Sequence, residues 1–299
     1  MYIDYFELPI DEEHYIVKSL NEKYVGPYKS LDNVYPCGLF SQKNFREIFF
    51  KKVTIFYGGN GSGKSTLLNL IAEKLELNRI APFNSSTVFP VYAQKCNYKV
   101  GYDDEGFKHK IPDGSRIISS DDIFDYMLTV RTNNSEILDK TDSLADDYLD
   151  IKYGDSVRVT SLDDYEKLRV QILSRKRSVC RKNFIEKVAG KSTELFSNGE
   201  TALNYFKSKL KSDKLYCLDE PENSMSPKLQ LQLKDLLEEL SRYCGCQFII
   251  ATHSPFILSI DGAKIYNLDS SEVDVDDWWK LENVKIYYEF FKKHENLFK

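Results

Sequence analysis

The stretch YGGNGSGKST, from Tyr57 to Thr66, packs four glycines and one lysine into a turn between two apolar segments. Before it, KKVTIFY carries the β-branched and aromatic residues of a strand. After it, STLLNLIAEKL places Leu67, Leu68, Ile71 and Leu75 at helical spacing. Strand, glycine turn and helix in that order predict an α/β fold. Gly58, Gly63, Lys64 and Ser65 also fit the spacing G-x-x-x-x-G-K-S/T. Glycine lets such a backbone curl, so that the N–H groups along Gly58, Asn60, Gly61, Ser62, Gly63, Lys64, Ser65 and Thr66 line an anion cradle, with the positive end of the helix added. Lys64 is placed to neutralise the β- and γ-phosphates of a nucleotide, and the Ser65 hydroxyl to coordinate Mg²⁺.

Three later segments narrow the chemistry. KLYCLDEPEN is an apolar strand ending in Asp219 and Glu220. Asp219 is placed to hold Mg²⁺, and Glu220 to polarise an attacking water, since phosphoryl transfer needs mainly positioning and charge stabilisation. CQFIIATHS is a second apolar strand, ending at His253. A histidine at the carboxyl end of a strand stands where open α/β sheets bind ligands, suited to hydrogen-bond the γ-phosphate or the water. ELFSNGETALNYFKSKL is a Ser-Asn-Gly-Glu turn opening an amphipathic helix. Ser197 and Gly199 there offer a hydroxyl and backbone N–H groups to an anion, or serve as a plain helix cap.

Taken in this order, the four motifs resemble those of the ATP-binding cassette (ABC) ATPases. FSNGE is similar to that family's signature motif, with Asn198 where glycine is usual, and Glu200 closes it. DEPENSMSP resembles the Walker B strand and D-loop, with Ser224 and Ser226 in the D-loop and Pro227 opening the next helix. ATHSP resembles the switch histidine of SMC-like and DNA-repair ATPases and of small bacterial predicted ATPases, the nearest group. The resemblance implies a P-loop fold with a mainly parallel central sheet and antiparallel strands from the amino-terminal third. It implies Mg²⁺ as cofactor and ATP as substrate. With one cassette in the chain, it implies a head-to-tail homodimer in which Ser197, Asn198, Gly199 and Glu200 close over ATP held by the other protomer.

What the chain omits bears on its output. Residues 87–195 show no sustained heptads of the kind that build SMC arms. No further domain is expected in the stretch after His253. The expectation is one ABC-type domain over 1–299, with a helical insertion at about 120–195 and a carboxyl-terminal helix at about 283–298. That last helix, with Val284, Tyr287, Tyr288 and Phe291 at helical spacing, is expected to cover the sheet. Within the insertion, 167–187 gathers Arg175, Lys176, Arg177, Arg181 and Lys182. Such a run is a solvated helix face or a contact for nucleic acid or a protein partner; a third alternative, from its place just ahead of the signature turn, is that Arg181 or Lys182 approaches a partner's nucleotide. The family's glutamine loop falls at Gln94, after a strand-like VFPVYA, with RIISSDDIF as a competing place. Tyr35 and Phe40 are candidates to stack on adenine.

Composition removes several classes. A net charge of −5 argues against a protein coated in nucleic acid. No apolar run approaches the length of a membrane span, and the amino terminus lacks a signal pattern. Six scattered cysteines, with only Cys244 and Cys246 close together, suit a reduced cytoplasmic protein. The reading is a soluble Mg-dependent ATPase whose dimer opens and closes with ATP. The alternatives are a slowly hydrolysing, nucleotide-gated subunit of a DNA-repair or phage-defence system and, third, a soluble transporter cassette.

Overall fold

Strands that are apolar on both faces must be covered on both faces, and this chain has three of them. In the computed structural model, which describes residues 1–9, 34–103, 105–158, 161–176, 178–190, 197–270 and 272–298, these strands lie side by side at the centre. In chain order the elements of the first unit are β1 (Ile3–Glu7), β2 (Glu47–Phe49), β3 (Val53–Tyr57), α1 (Lys64–Lys74), α2 (Phe89–Lys95), β4 (Asn97–Val100) and β5 (Arg116–Ile118). The helix α3 (Ser120–Asp146) follows, then the helices of a second unit, α4 (Tyr148–Tyr153), α5 (Leu162–Arg175) and α6 (Arg181–Ala189). The chain returns with α7 (Asn198–Lys209), β6 (Leu215–Asp219), α8 (Pro227–Tyr243), β7 (Gln247–Thr252), α9 (Pro255–Leu258), β8 (Lys264–Asn267), β9 (Asp274–Val275) and α10 (Glu282–Lys293). The units are Met1–Ile123 with Asn198–Lys299, and Phe124–Ser197.

The main sheet has the order β5-β6-β7-β3-β8-β9 and is parallel except for the β8–β9 pair. A second sheet, β2-β1-β4, is antiparallel. This is the mixed α/β architecture expected from the sequence. Every residue of β3 and β7 is buried, which is why both read as unbroken apolar runs. The helix α1 is buried on more than its leucine face: Asn69, Leu70 and Ala72 are enclosed as well.

Gln247 joins the two sheets. Its side chain is 1% exposed, its Oε1 accepts the N–H groups of Tyr2 and Ile3 at 2.9 and 3.0 Å, and its Nε2 donates to the carbonyls of Ile3 and Lys51 at 2.7 and 3.2 Å. One amide thus satisfies four backbone groups where β1 meets the start of β7.

Two expectations are corrected. VFPVYAQK is the helix α2, not a strand, because Val88, Phe89, Tyr92 and Ala93 all reach the core and that spacing is helical; Pro90 sits in its first turn. The helix α10 does not cover the sheet with its aromatic face. Only Val284 is buried there, while Ile286, Tyr287, Tyr288, Phe290 and Phe291 are each about half exposed.

The second unit packs Tyr148, Val179 and Phe184 into a small core flanked by Leu144, Ile151, Val170 and Leu173. Arg175 donates there to the carbonyls of Lys152 and Gly154 and to Ser156 Oγ, and Arg181 to the carbonyl of Ala145. Two of the basic side chains are therefore engaged with backbone carbonyls at the ends of α3 and α4 and just beyond; Lys176 and Lys182 are exposed, and Arg177 lies outside the described residues.

Replacing Gln247 by Leu keeps the volume but strands four backbone groups. Urea denaturation should show a loss on the order of 2–4 kcal/mol. A midpoint equal to the wild type would show that β1 is held without this amide.

Candidate functional site

The strands β6, β7 and β3 are neighbours, and Tyr57 pairs with Thr252 while Asp219 pairs with Ala251. Their carboxyl ends lie level, so the glycine turn, the Asp-Glu pair and the histidine leave one edge of the sheet together. In the turn, Gly61 and Gly63 adopt φ of 81° and 101°, a region side chains resist. A Cβ on Gly63 would also stand 3.1 Å from the Phe40 ring. Lys64, 5% exposed, folds back to donate to the carbonyls of Gly58 and Gly59 at 2.6 and 2.9 Å. Both carboxylate oxygens of Asp269 lie 2.9 Å from the Gly59 nitrogen, and Lys43 donates to the carbonyls of Ser62 and Leu268. The turn is fastened from outside at both ends. Ser62 Oγ is buried with no hydrogen-bond partner among the described residues.

An open cavity of about 430 Å³ is lined by Tyr35, Leu39, Glu220 and the turn from Asn60 to Thr66. The Ser65 hydroxyl donates to Asp219 Oδ1 at 3.0 Å, and Glu220 Oε1 lies 3.8 Å from Lys64 Nζ and 3.6 Å from His253 Nδ1. Burial pushes the Asp219 carboxyl up to about 6, with Glu220 and Glu222 adding to the rise; the Ser65 hydrogen bond and Lys64 act against it. Glu220 has φ of 46°, a strained conformation for a non-glycine residue and one that concentrates at functional sites. The strain is fixed by its N–H donating to the Ala251 carbonyl at 2.9 Å and by Asn223 Nδ2 donating to its Oε2 at 3.2 Å.

Ser65, which lines the cavity, and Asp219, which accepts its hydroxyl but, like His253, is not among the lining residues, form a hard-donor oxygen pair. Such a pair fits Mg²⁺, which takes one or two protein oxygens and keeps the rest of its shell for phosphate and water.

The remaining sequence candidates are placed as follows. Asn198, Gly199 and Glu200 form the first turn of α7 and are not among the residues lining this cavity; Ser197 precedes them and is exposed. Gly199 is buried, and a Cβ there would come 2.9 Å from the Ser224 carbonyl and 2.7 Å from Leu229. Its glycine identity thus has a packing reason in this chain. Ser224 has φ of 66°, and Ser226 precedes α8 without a side-chain capping bond. Gln94 is exposed in the last turn of α2 and does not line the cavity. The competing segment contributes β5 and a turn in which Asp122 accepts the N–H groups of Ala81 and Ser119. Of the two aromatic candidates, Tyr35 lines the cavity and bonds the Thr66 hydroxyl at 2.6 Å, while Phe40 is buried behind Gly63.

Sequence reading missed Glu222, Lys43 and Asp269. The second glutamate of DEPEN was a visible signal; nothing local marks the other two, whose roles come from distant parts of the chain. Glu222 is 5% exposed, and its Oε1 accepts the Thr252 hydroxyl and the N–H groups of His253 and Ser254, the latter two at 3.2 Å.

A family model described as ABC transporter matches residues 47–223, more than half of the chain. The chain belongs to the ABC family of P-loop ATPases. A second model, for an AAA domain and naming an AbiEii toxin of a type IV TA system, matches residues 194–259 of this ABC-family chain. No curated protein matches it. Among solved structures, it is similar to the SMC head domain from Thermotoga maritima, at 15% identity over 93% of this chain and 99% of that one, with a TM-score of 0.38. It is likewise similar to the Smc head domain from Pyrococcus furiosus bound to the C-terminal domain of ScpA, at 15% identity, 97% and 99% coverage and a TM-score of 0.39. A dimeric post-hydrolysis state of the ATP-binding cassette MJ0796, bound to ADP and Pi, aligns at 15% identity over 78% of this chain and 88% of that one, with a TM-score of 0.36. Among the described residues, no helix of this ABC protein is long and apolar enough to cross a membrane.

The raised Asp219 pKa carries a sign. The folded chain holds this proton more tightly than the unfolded chain, whose aspartate titrates near 3.8. The stability this group contributes is full below that value and is lost as pH rises through about 6. Asp219→Asn keeps the Ser65 bond and removes that loss. Thermal melts of the nucleotide-free protein should show the variant more stable above pH 7 and level with the wild type near pH 4; equal melting temperatures at both would refute the assigned environment.

Proposed function

We propose that the chain is an Mg-dependent ATPase that binds ATP at a composite head-to-tail dimer interface and couples binding and hydrolysis to dimer opening and closing. The observation that supports it best is the convergence of Lys64, Ser65, Asp219, Glu220 and His253 on one sheet edge, with Glu220 within 3.8 Å of Lys64 and 3.6 Å of His253. In this reading the N–H groups of Asn60 to Thr66 bind the phosphates. The Lys64 ammonium exchanges the carbonyls of Gly58 and Gly59 for phosphate oxygens. Mg²⁺, held by Ser65 and Asp219, would screen the phosphate charge. Glu220 orients water for in-line attack, and His253 hydrogen-bonds the γ-phosphate or that water. Ser197, Asn198, Gly199 and Glu200 of each subunit complete the other's site, and the D-loop serines Ser224 and Ser226 lie along the junction.

We read residues 1–299 as one cassette, the helices of about 120–195 as its insertion and the carboxyl-terminal helix as an addition. All six cysteines are free, which suits a reducing, cytoplasmic setting. A second reading, a slow nucleotide-gated subunit of a larger assembly, draws support from the exposed aromatic side chains of α10, a surface of the kind that marks protein partners.

Lys64→Ala should fold normally and lose tight ATP binding; calorimetry showing wild-type affinity would remove the phosphate assignment. Glu220→Gln should retain Mg-ATP, hydrolyse it far more slowly and accumulate as dimer. The trans arrangement has its own check. Lys64→Ala and Ser197→Arg subunits should each be inactive alone, yet after free exchange in equal amounts recover roughly a quarter of the activity, because half of the dimers then carry one intact site. Full turnover by Ser197→Arg alone, or by a strict monomer, would show that the turn at Ser197 only caps a helix.

A further inference from the structure

Between the Asp-Glu pair and the switch histidine stands a carboxyl group that no role in the proposed hydrolysis uses. Glu222 belongs to the turn after β6, yet its side chain bonds to the end of β7. Its Oε1 alone receives the Thr252 hydroxyl, the His253 N–H and the Ser254 N–H. These three residues are consecutive, and they are the ones that lead the chain out of the sheet past His253. Ser254 continues the chain of contacts: its Oγ lies 2.7 Å from Gln230 Oε1 on α8 and caps α9 by accepting the N–H groups of Phe256 and Ile257.

Backbone N–H groups at a strand end have no ladder partner, and leaving two of them buried would be costly. The Glu222 oxygen accepts from both; the Ser254 N–H is shared with Thr252 Oγ1 at 3.0 Å, so the His253 N–H is the one that depends on Glu222 most directly. Its other oxygen, Oε2, is buried with no hydrogen-bond partner among the described residues, so the three-way contact at Oε1 is what holds the side chain there. Burial pushes the Glu222 pKa up, against the pull of the Thr252 hydroxyl and of His253. The group is maintained in a place that does not favour its charge.

We propose that Glu222 is a positioning residue: it fastens residues 252–254 to the Walker B turn and so sets the distance between His253 and Glu220. The inference rests on the ATPase reading above for its consequence, though its structural half does not. The His253 side chain is 44% exposed, and among the described residues its ring nitrogen makes two long approaches to carboxylates, to Glu220 and Glu222 at 3.6 and 3.9 Å. Its backbone is therefore held more firmly than its ring. From the other side, Asn283 Nδ2 donates to the His253 carbonyl at 3.2 Å, and the Asn283 N–H donates to the Tyr57 hydroxyl at the same distance. Glu222 holds the N–H side of His253 and Asn283 the carbonyl side, so that the peptide on each flank of the ring is pinned. Neither residue needs to touch nucleotide for the ring to depend on it.

The test compares Glu222→Ala with Glu222→Gln in the full chain. An amide oxygen can accept all three bonds and its nitrogen occupies the unpartnered position, so Gln should restore what Ala removes. In the nucleotide-free protein, hydrogen exchange of the peptide spanning 252–254 should quicken at least tenfold in Glu222→Ala and return towards wild type in Glu222→Gln, the rise expected from losing about one hydrogen bond. With ATP, Glu222→Ala should lower kcat on the order of 10- to 100-fold with nucleotide affinity unchanged, as for a misplaced catalytic group. Unchanged exchange in Glu222→Ala would overturn the proposal whatever the turnover. Quickened exchange with wild-type kcat would keep the fastening and overturn its link to hydrolysis. If Glu222→Ala does not fold, Thr252→Val removes one of the three donors together with the Thr252 acceptor of the Ser254 N–H, so the readout is the His253 amide, which should exchange faster by a smaller factor; no change at His253 would also overturn it.

Discussion

The parallel ladder of β6, β7 and β3 is the constraint on which the rest of the structure depends. Its strands are covered on both faces, so their register is set by backbone bonds and by burial of every side chain in β3 and β7. A slip of one residue would carry Asp219 and Thr252 away from the level of Tyr57, and the groups that meet at the cavity would separate. The ladder also explains the position of α1. A glycine turn leaving the central strand delivers the helix back over the sheet, where eight of its eleven residues are buried.

Around that ladder, polar side chains, Gln247 and Glu222 buried and Lys43 and Asp269 nearer the surface, do work that apolar packing cannot. Gln247 closes the ends of β1 and β7, Asp269 and Lys43 fasten the glycine turn, and Glu222 fastens the turn beyond β7. Each one meets backbone groups that the sheet leaves unpaired, which is where a missing partner is most expensive. Fixing the turns before a ligand arrives also lowers the cost of ordering them at the moment of binding. The left-handed backbone at Glu220 belongs to the same pattern: the ladder bond to Ala251 holds a conformation that the residue would not choose.

The surface of α10 has a different character. Its polar residues, Lys285, Glu289, Lys292 and Lys293, share one side, while the aromatic residues occupy much of the rest and remain half exposed. A helix of this composition buries little against its own chain, and its stability draws correspondingly less on tertiary packing than that of α1.

The sequence by itself determined the parts of the site that are contiguous. The spacing of Gly58, Gly63, Lys64 and Ser65, the Asp219–Glu220 pair and His253 at a strand end were legible because each motif carries its own strand or helix beside it, and local pattern reports local structure. It also determined the α/β class. It could not report that α2 is a helix, since a seven-residue apolar run has no decisive period, nor that α10 faces outward, since an apolar stripe says that a face is sticky and not what meets it. Only the tertiary structure decided the contacts of Glu222, Gln247 and Asp269, whose partners lie 30, 244 and 210 residues away. Polar fastening of this kind depends on which backbone groups the assembled sheets leave unpaired, and that is a property of the finished fold.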